Sequence, residues 1–198
     1  MRSEKEKELE NYIQEYQTKV TLKKNSIPKF LSIEVADYIL NNGKIITREK
    51  VKKSGKDGNA VIILPITKDQ EVILAVEPRV CTKETVGIGL PAGYIEEGET
   101  PIIAAKRELQ EETGYRAEEL RVLGTGFYQD EGCSSAYNTI VLATGCIRVS
   151  NQMLDDSEFI HYFLCSVTEA YEMLDNGVIK SANSQLALWK AKEFLKKK

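Results

Sequence analysis

The sequence predicts an α+β fold in which helices cover both faces of a mixed β-sheet, an α/β/α sandwich with an N-terminal β-hairpin extension. Apolar, strand-like segments recur between Ser32 and Cys165; one helical segment interrupts them and two helical segments follow them. The chain has 198 residues, of which 42% are hydrophobic, so it can bury one sizeable core. These observations favour one core domain with a terminal appendage.

The appendage begins with a helix and continues as a hairpin. Glu8 to Tyr16 carries apolar residues at helical spacing, and this stripe must cover other apolar surface. From Ser32 the pattern becomes strand-like, and Asn42-Gly43 separates two apolar segments as a two-residue hairpin turn does. The polar stretch from Lys52 to Asn59 predicts a loop. We therefore assign residues 1–58 to a helix and hairpin extension, and residues 59–198 to the core domain.

The core segments alternate between apolar runs and turn residues. Five strands are predicted, at Ala60 to Ile66, Glu71 to Val76, Arg121 to Tyr128, Asn138 to Thr144 and Phe159 to Cys165. Ser166 and Glu169 then form a capping box for a helix that ends at Asn176-Gly177, and Asn183 to Leu195 predicts a last helix. His161 lies inside the fifth strand, so we interpret it as a strand residue rather than a general base.

The helix in the middle of the chain carries a cluster of carboxylates. Thr100 is suited to the N-cap, Pro101 to the first helical position and Gly114 to the C-terminal stop. Glu108 and Glu112 are four residues apart and project from one face, with Glu111 beside them. Like charges at this spacing repel each other, which destabilises an isolated helix.

A divalent cation would relieve this local excess of negative charge. Ligand sets made only of oxygen favour Mg²⁺, Mn²⁺ or Ca²⁺ over zinc, and Mg²⁺ is commonly held by one or two carboxylates together with substrate phosphates. The alternative is that the acidic helix is a solvated face. The glycines, Arg107 and the carboxylate spacing occur together, which favours a metal site for a phosphate-bearing substrate.

Residues 93–115 resemble the Nudix box, G-x5-E-x7-R-E-U-x-E-E-x-G-U, in which U is a bulky apolar residue. The fixed positions are occupied by Gly93, Glu99, Arg107, Glu108, Leu109, Glu111, Glu112 and Gly114. The resemblance implies that Glu108 and Glu112 are the principal ligands of Mg²⁺, or of Mn²⁺, with Glu111 assisting and the carbonyl of Ala92 contributing. It also implies that Glu99 and Arg107 pair and fix the loop against the helix.

The stretch from Ile33 to Leu195 is similar to the ADP-ribose pyrophosphatase group within that superfamily. The similarity rests on the hairpin before the core, on Leu90-Pro91-Ala92-Gly93 at the entry to the box, and on the C-terminal helices. It implies a Nudix fold, a homodimer that exchanges the hairpin, and Mg²⁺-dependent hydrolysis of a nucleoside diphosphate linked to a second group. For ADP-ribose the products would be AMP and ribose 5-phosphate.

The same resemblance implies further site residues. In that group an acidic residue before the last core strand orients or deprotonates the attacking water, and Glu158 occupies this place, with Asp156 as its substitute. Arg79 stands where an arginine contacts the substrate diphosphate, and Gly132 matches a glycine of a substrate-binding loop. The alternatives are a solvated acidic loop and an ordinary surface arginine.

Two departures from the group concern the organic half of the substrate. The loop around Gly132 lacks the group's proline, and Gly89 stands two residues before Pro91, where a glutamate is common. A nucleotide sugar, a dinucleotide or a nucleoside triphosphate therefore remains an alternative substrate. Two further alternatives are a non-catalytic Nudix module that senses a nucleotide and an interaction protein whose hairpin is the functional part.

Composition excludes several other classes of protein. The net charge of −3 argues against a groove for a nucleic-acid polymer. No apolar run reaches the ~18 residues of a membrane span, and the charged N-terminus does not resemble a signal peptide. Four cysteines without paired metal spacing are interpreted as free thiols of a reducing compartment. We expect a cytoplasmic protein.

Overall fold

The computed structural model describes residues 4–19, 27–54 and 57–195. The elements in chain order are α1 (Glu4–Tyr16), β1 (Leu31–Ile39), β2 (Ile45–Lys53), β3 (Ala60–Thr67), β4 (Glu71–Arg79), β5 (Thr85–Gly89), β6 (Ala92–Tyr94), α2 (Pro101–Thr113), β7 (Tyr115–Arg116), β8 (Glu119–Tyr128), β9 (Tyr137–Arg148), β10 (His161–Ser166), α3 (Val167–Asp175) and α4 (Ala182–Leu195).

The main sheet is mixed, which confirms the predicted fold class. Its strand order is β10-β4-β3-β9-β7, while β5 pairs with β4, β6 with β3 and β8 with β9. The β3/β9 pair is parallel and the other pairs are antiparallel. Strands β1 and β2 form a separate two-stranded sheet, which is the predicted hairpin.

Each face of the main sheet carries its own apolar core. On one face α2 contributes Ala104, Ala105 and Leu109 to a cluster with residues of β3 and β9. On the other face α3 and α4 cover a second cluster, to which α4 contributes Ala187 and Leu188. Helices therefore lie on both faces of the sheet, as the sequence predicts.

Helix α1 packs on the second core. It begins at Glu4, about one turn before the predicted start, and its apolar stripe contacts this core through Leu9, Tyr12, Ile13 and Tyr16. The rings of Tyr12 and Tyr16 stack on the ring of His161 with centroid distances of 4.1 and 5.0 Å. His161 is the first residue of β10, so the strand prediction for the histidine is confirmed.

Some boundaries differ from those predicted. Lys52 and Lys53 belong to β2 rather than to the following loop, because they continue the hairpin register opposite Ser32 and Leu31. The last strand begins at His161 rather than at Phe159. Strands β5, β6 and β7 were not predicted, since each is only two to five residues long and depends on pairing with a distant strand.

The cysteines and helices agree with the compositional expectations as far as the structure describes them. Cys81, Cys133, Cys146 and Cys165 are free thiols. Cys146 and Cys165 are buried, and this burial raises the pKa of each thiol to about 12, which keeps both protonated. None of the described helices is long and apolar enough to span a membrane.

The caps predicted for the acidic helix are present. The Thr100 hydroxyl accepts a hydrogen bond from the Ile103 N–H at 3.3 Å, and Pro101 is the first helical residue. Gly114 ends the helix in the left-handed conformation at φ 75°, and its carbonyl accepts the N–H groups of Val149 and Ser150 at 2.8 and 3.2 Å. These contacts fix the C-terminal end of α2 to the chain that follows β9.

Replacing Gly114 with Ala should lower the free energy of unfolding by more than about 2 kcal/mol. A Cβ at this position would overlap the carbonyl oxygen of Ser150, in addition to the strain of positive φ. Gly177→Ala is the matched control, because Gly177 also follows a helix with φ 69° but has no atom within 4 Å of the added Cβ. It should cost only the left-handed strain, about 1 to 2 kcal/mol. Equal losses in denaturant titrations of the two variants would contradict the role of the Ser150 contact.

Candidate active site

The carboxylates of α2 lie between the helix and strand β6. Glu108 and Glu112 are buried, with 9% and 6% of their surface exposed, and Glu111 is more exposed. A Cβ at Gly93 would overlap the carboxylate of Glu108, so a side chain at this position would push that carboxylate out of its place beside β6. The neighbouring Ala92 donates its backbone N–H to Oε2 of Glu112 at 3.1 Å. The structure thus brings together Ala92, Glu108 and Glu112, which the sequence assigned to the metal.

Arg107 links the loop before α2 to the helix. Its Nε and Nη2 donate to the two carboxylate oxygens of Glu99, each at 2.9 Å, and Nη2 also donates to the carbonyl of Tyr94 at 3.0 Å. Its Nη1 contacts Oε1 of Glu108 at 2.7 Å and Oε2 of Glu111 at 3.0 Å. The hydrogen bonds from Arg107 lower the pKa of Glu99. The guanidinium therefore holds the loop, β6 and two site carboxylates in one arrangement.

A third carboxylate, which is only partly buried, lies on strand β4. Glu77, near the end of β4, faces the same cavity as Glu108 and Glu112. Burial raises the pKa of Glu77, while the charge of Arg79 opposes that rise. The sequence analysis gave Glu77 no role. The sequence contains one signal that could have identified Glu77 as a site residue. Glu77 is an ionisable residue that directly follows the apolar run of β4.

Electrostatic repulsion is concentrated at Glu112. Burial raises the pKa of Glu112 well above its ordinary value, and the charges of Glu77, Glu108 and Glu158 raise it further. Burial also raises the pKa of Glu108, although the hydrogen bond and charge of Arg107 oppose this. In the described part of the chain, Glu112 contacts the backbone N–H of Ala92 and forms no ion pair with a lysine or arginine. Its ionised form therefore lacks a compensating cation.

The donor chemistry of this cluster fits a hard divalent cation. The carboxylates supply only oxygen ligands, and Glu112 itself has no ion-pair partner among the described residues. Among the residues that the structure describes, no three acidic, histidine or cysteine side chains already converge as a closed metal site. Arg107 engages Glu108 and Glu111, so a bound cation would compete with this guanidinium for their oxygens.

The carboxylates open onto a cavity of about 580 Å³. Glu158 lines it from the loop between β9 and β10, and its Oε2 accepts the backbone N–H of Asp155 at 3.1 Å. Asp156, the predicted substitute for Glu158, is not among the residues that line it. Apolar side chains that the sequence analysis did not identify also line the cavity, among them Tyr94, Met153, Phe159 and Ile160. The catalytic role of Glu158 remains a prediction.

The two predicted substrate contacts differ in position. Arg79 lines the cavity and forms an ion pair with Glu77 at 2.5 Å. Gly132 lies in the loop between β8 and β9, where its N–H donates to Oδ1 of Asp130 at 3.3 Å, and it does not line this cavity. The same loop contacts the hairpin, because the Cys133 carbonyl accepts the Val51 N–H at 2.8 Å. Substrate binding by either residue remains a prediction.

Comparisons with known proteins identify the family of this chain. The chain is 31% identical over 161 residues to the ADP-ribose pyrophosphatase of Bacillus subtilis (strain 168), covering 81% of this chain and 84% of the relative. It is 34% identical to the ADP-sugar pyrophosphatase of Mus musculus, covering 59% and 56%. The crystal structure of an ADP compounds hydrolase matches with a TM-score of 0.72 at 27% identity, covering 87% of this chain and 90% of that one. The family model of the NUDIX domain matches residues 56–187, so this chain belongs to the NUDIX family.

Proposed function

We propose that this protein is a pyrophosphohydrolase that hydrolyses ADP-ribose to AMP and ribose 5-phosphate with Mg²⁺ as its cofactor. The observation that carries the proposal is the buried group of carboxylates at the cavity, with Glu112 lacking a compensating cation. Relatives named for hydrolysis of ADP-ribose, ADP-sugars and ADP compounds support ADP-linked diphosphates as the substrate class. A purely binding module would gain nothing from carboxylates that repel one another.

Each residue of the proposed site has a distinct role in the reaction. Glu108 and Glu112 would hold the cation, assisted by Glu111 and the carbonyl of Ala92. A bound Mg²⁺ would neutralise charge that develops on the leaving phosphate and orient the diphosphate. Glu158 would orient the attacking water and accept its proton at a carboxylate oxygen. Arg79 would contact the diphosphate with its guanidinium, whose planar fork suits phosphate oxygens.

The proposal extends to assembly and location. Ile33, Val35 and Ile39 alternate along β1 and therefore share one face of the hairpin, where their exposed fractions are 64%, 64% and 74%. Exposed apolar surface of this kind is typical of an interface, which supports a homodimer formed through the hairpin, the extension that we assign to residues 1–58. The loop that carries Gly132 contacts the hairpin of its own chain. When this hairpin docks on a partner subunit, the loop with Gly132 would approach the substrate site of that partner. The free thiols support a cytoplasmic location.

Replacing Glu112 with Gln should abolish Mg²⁺-dependent release of AMP while making the metal-free protein more stable. The loss of a metal ligand should lower kcat/KM more than about 100-fold, beyond the range for an outer-shell partner. Removal of a buried, repelled charge should raise the free energy of unfolding at neutral pH by about 1 to 2 kcal/mol. Product chromatography and denaturant titration measure the two effects.

The pH dependence of stability separates this explanation from a general packing effect. A carboxyl whose folded pKa is raised binds protons on folding, so wild-type stability should fall as pH rises from ~4.3 through the folded pKa of Glu112. Glu112→Gln should show a smaller fall over the same range. Parallel stability profiles, or unchanged turnover, would remove Glu112 from the proposed site.

Replacing Glu158 with Gln should lower kcat for ADP-ribose by about 10² to 10⁴ with little change in KM, because a general base acts in the transition state. Asp156→Asn is the matched control and should leave kcat near the wild-type value. Steady-state kinetics with saturating Mg²⁺ measure both. If the Asp156→Asn variant were slow and the Glu158→Gln variant fully active, the general base would be Asp156. If both variants were fully active, neither carboxylate would be the general base.

Val35→Lys should convert a homodimer to monomers, because it would bury a lysine charge at the interface on both subunits. The expected weakening of association is about 100-fold or more. Val122→Lys is the control, since Val122 is a strand valine with 42% exposure on β8, outside the hairpin. Sedimentation equilibrium measures the association. A monomeric wild type, or a Val35→Lys dimer, would contradict the hairpin interface.

A further inference from the structure

The loop between β9 and β10 is held against the C-terminal end of α2. The last four carbonyls of an α-helix have no partner within the helix. In α2 the carbonyl of Glu111 accepts the backbone N–H of Met153 at 2.8 Å. The carbonyl of Glu112 accepts Nε2 of Gln152 at 2.6 Å. The loop therefore contacts the main chain of two residues that we assign to the metal.

Gln152 also holds the other end of this loop. Its Nε2 donates a second hydrogen bond to the carbonyl of Ile160 at 2.9 Å. Ile160 is only 5% exposed and directly precedes β10, so the acceptor belongs to a packed part of the chain. A side-chain amide has two N–H groups, and Gln152 can use one for each carbonyl. One side chain thus joins the end of α2 to the start of β10.

The segment that these contacts close carries Glu158. Within it the backbone N–H of Glu158 donates to the carbonyl of Asp155 at 2.9 Å, and Oε2 of Glu158 accepts the Asp155 N–H at 3.1 Å. These local hydrogen bonds shape the turn, but they do not set the distance from Glu158 to α2. That distance depends on how the two ends of the segment are held, at Met153 and at Ile160.

We propose that Gln152 is a positioning residue that sets the place of Glu158 relative to the carboxylates of α2. The inference rests on the proposed function, in which Glu158 acts on the attacking water. Met153 and Ile160 line the acidic cavity, whereas Gln152 is not among its described lining residues. Gln152 therefore acts through Glu158 and not by contact with the substrate. A displacement of about 1 Å can lower a rate about 100-fold, because a general base must lie within hydrogen-bond reach of its proton.

The test removes the two hydrogen bonds of Gln152 without removing its bulk. Gln152→Met keeps a similar length and has no N–H donor, and Gln152→Asn is a milder second variant that keeps the amide on a shorter side chain. Gln185→Met is the matched control, because Gln185 is also half-buried and its Nε2 donates to the carbonyl of Ile179 at 2.7 Å. Each change is also made in the Glu158→Gln background. The readouts are kcat and KM for ADP-ribose at saturating Mg²⁺, denaturant titration, and hydrogen exchange of residues 153–160 in the metal-free protein, followed by mass spectrometry.

We expect Gln152→Met to lower kcat about 10- to 100-fold with KM within about twofold of the wild type, and Gln152→Asn to lower kcat less. In the Glu158→Gln background, Gln152→Met should have no further effect on kcat, because the base that it would misplace has already been removed. Residues 153–160 should exchange faster in Gln152→Met than in the wild type. Gln185→Met should match the wild type in kcat and in the exchange of this segment.

Wild-type kcat in both Gln152 variants would overturn the inference. An equal loss of kcat in the Glu158→Gln background would overturn it as well, since Gln152 would then act on the site without Glu158. If the wild type hydrolyses no ADP-ribose, the proposed function fails. The exchange experiment then decides alone whether Gln152 holds the segment, and unchanged exchange in Gln152→Met would overturn its positioning role.

Discussion

Burial of mutually repelling glutamates between α2 and β6 is the constraint on which the site depends. Glu112 and Glu108 are nearly inaccessible to solvent, and burial raises the pKa of both. Such a cluster destabilises the metal-free fold, because each ionised carboxylate loses water and gains like-charged neighbours. A cation that binds only the folded chain would relieve the repulsion between these carboxylates. The free energy gained would contribute to the affinity for the cation, because metal binding and folding are then coupled.

The rest of the sequence around the helix serves to hold this cluster in place. Arg107 donates to Glu99, Tyr94, Glu108 and Glu111, so one guanidinium fixes a loop, a strand and two carboxylates. A lysine could not replace it, because an ammonium lacks the planar fork that these acceptors share. Gly93 contributes by having no side chain, which allows β6 to lie directly over Glu108. These contacts between the loop, β6 and α2 explain several fixed positions of the motif, namely Gly93, Glu99 and Arg107.

The parts of the fold that could be predicted from the sequence are those with local physical signals. The hairpin turn at Asn42-Gly43, the caps of α2 and the capping box of α3 each depend on residues a few positions apart, and the structure contains all of them. Strands β5 and β6 depend instead on pairing with β4 and β3, and their glycine-rich sequence carries no alternation. Glu77 was missed for the same reason: its burial beside Glu112 arises from strand pairing rather than from its sequence neighbours.

The acidic cavity adjoins the hairpin through an aromatic contact. Tyr94, the last residue of β6, lines the acidic cavity. The ring of Phe30, just before β1, lies 6.4 Å from the ring of Tyr94. This end of the cavity therefore adjoins the hairpin, whose exposed aliphatic face is the surface that we propose for dimerisation. In the homodimer that we propose, the interface between subunits would therefore lie beside the acidic cavity.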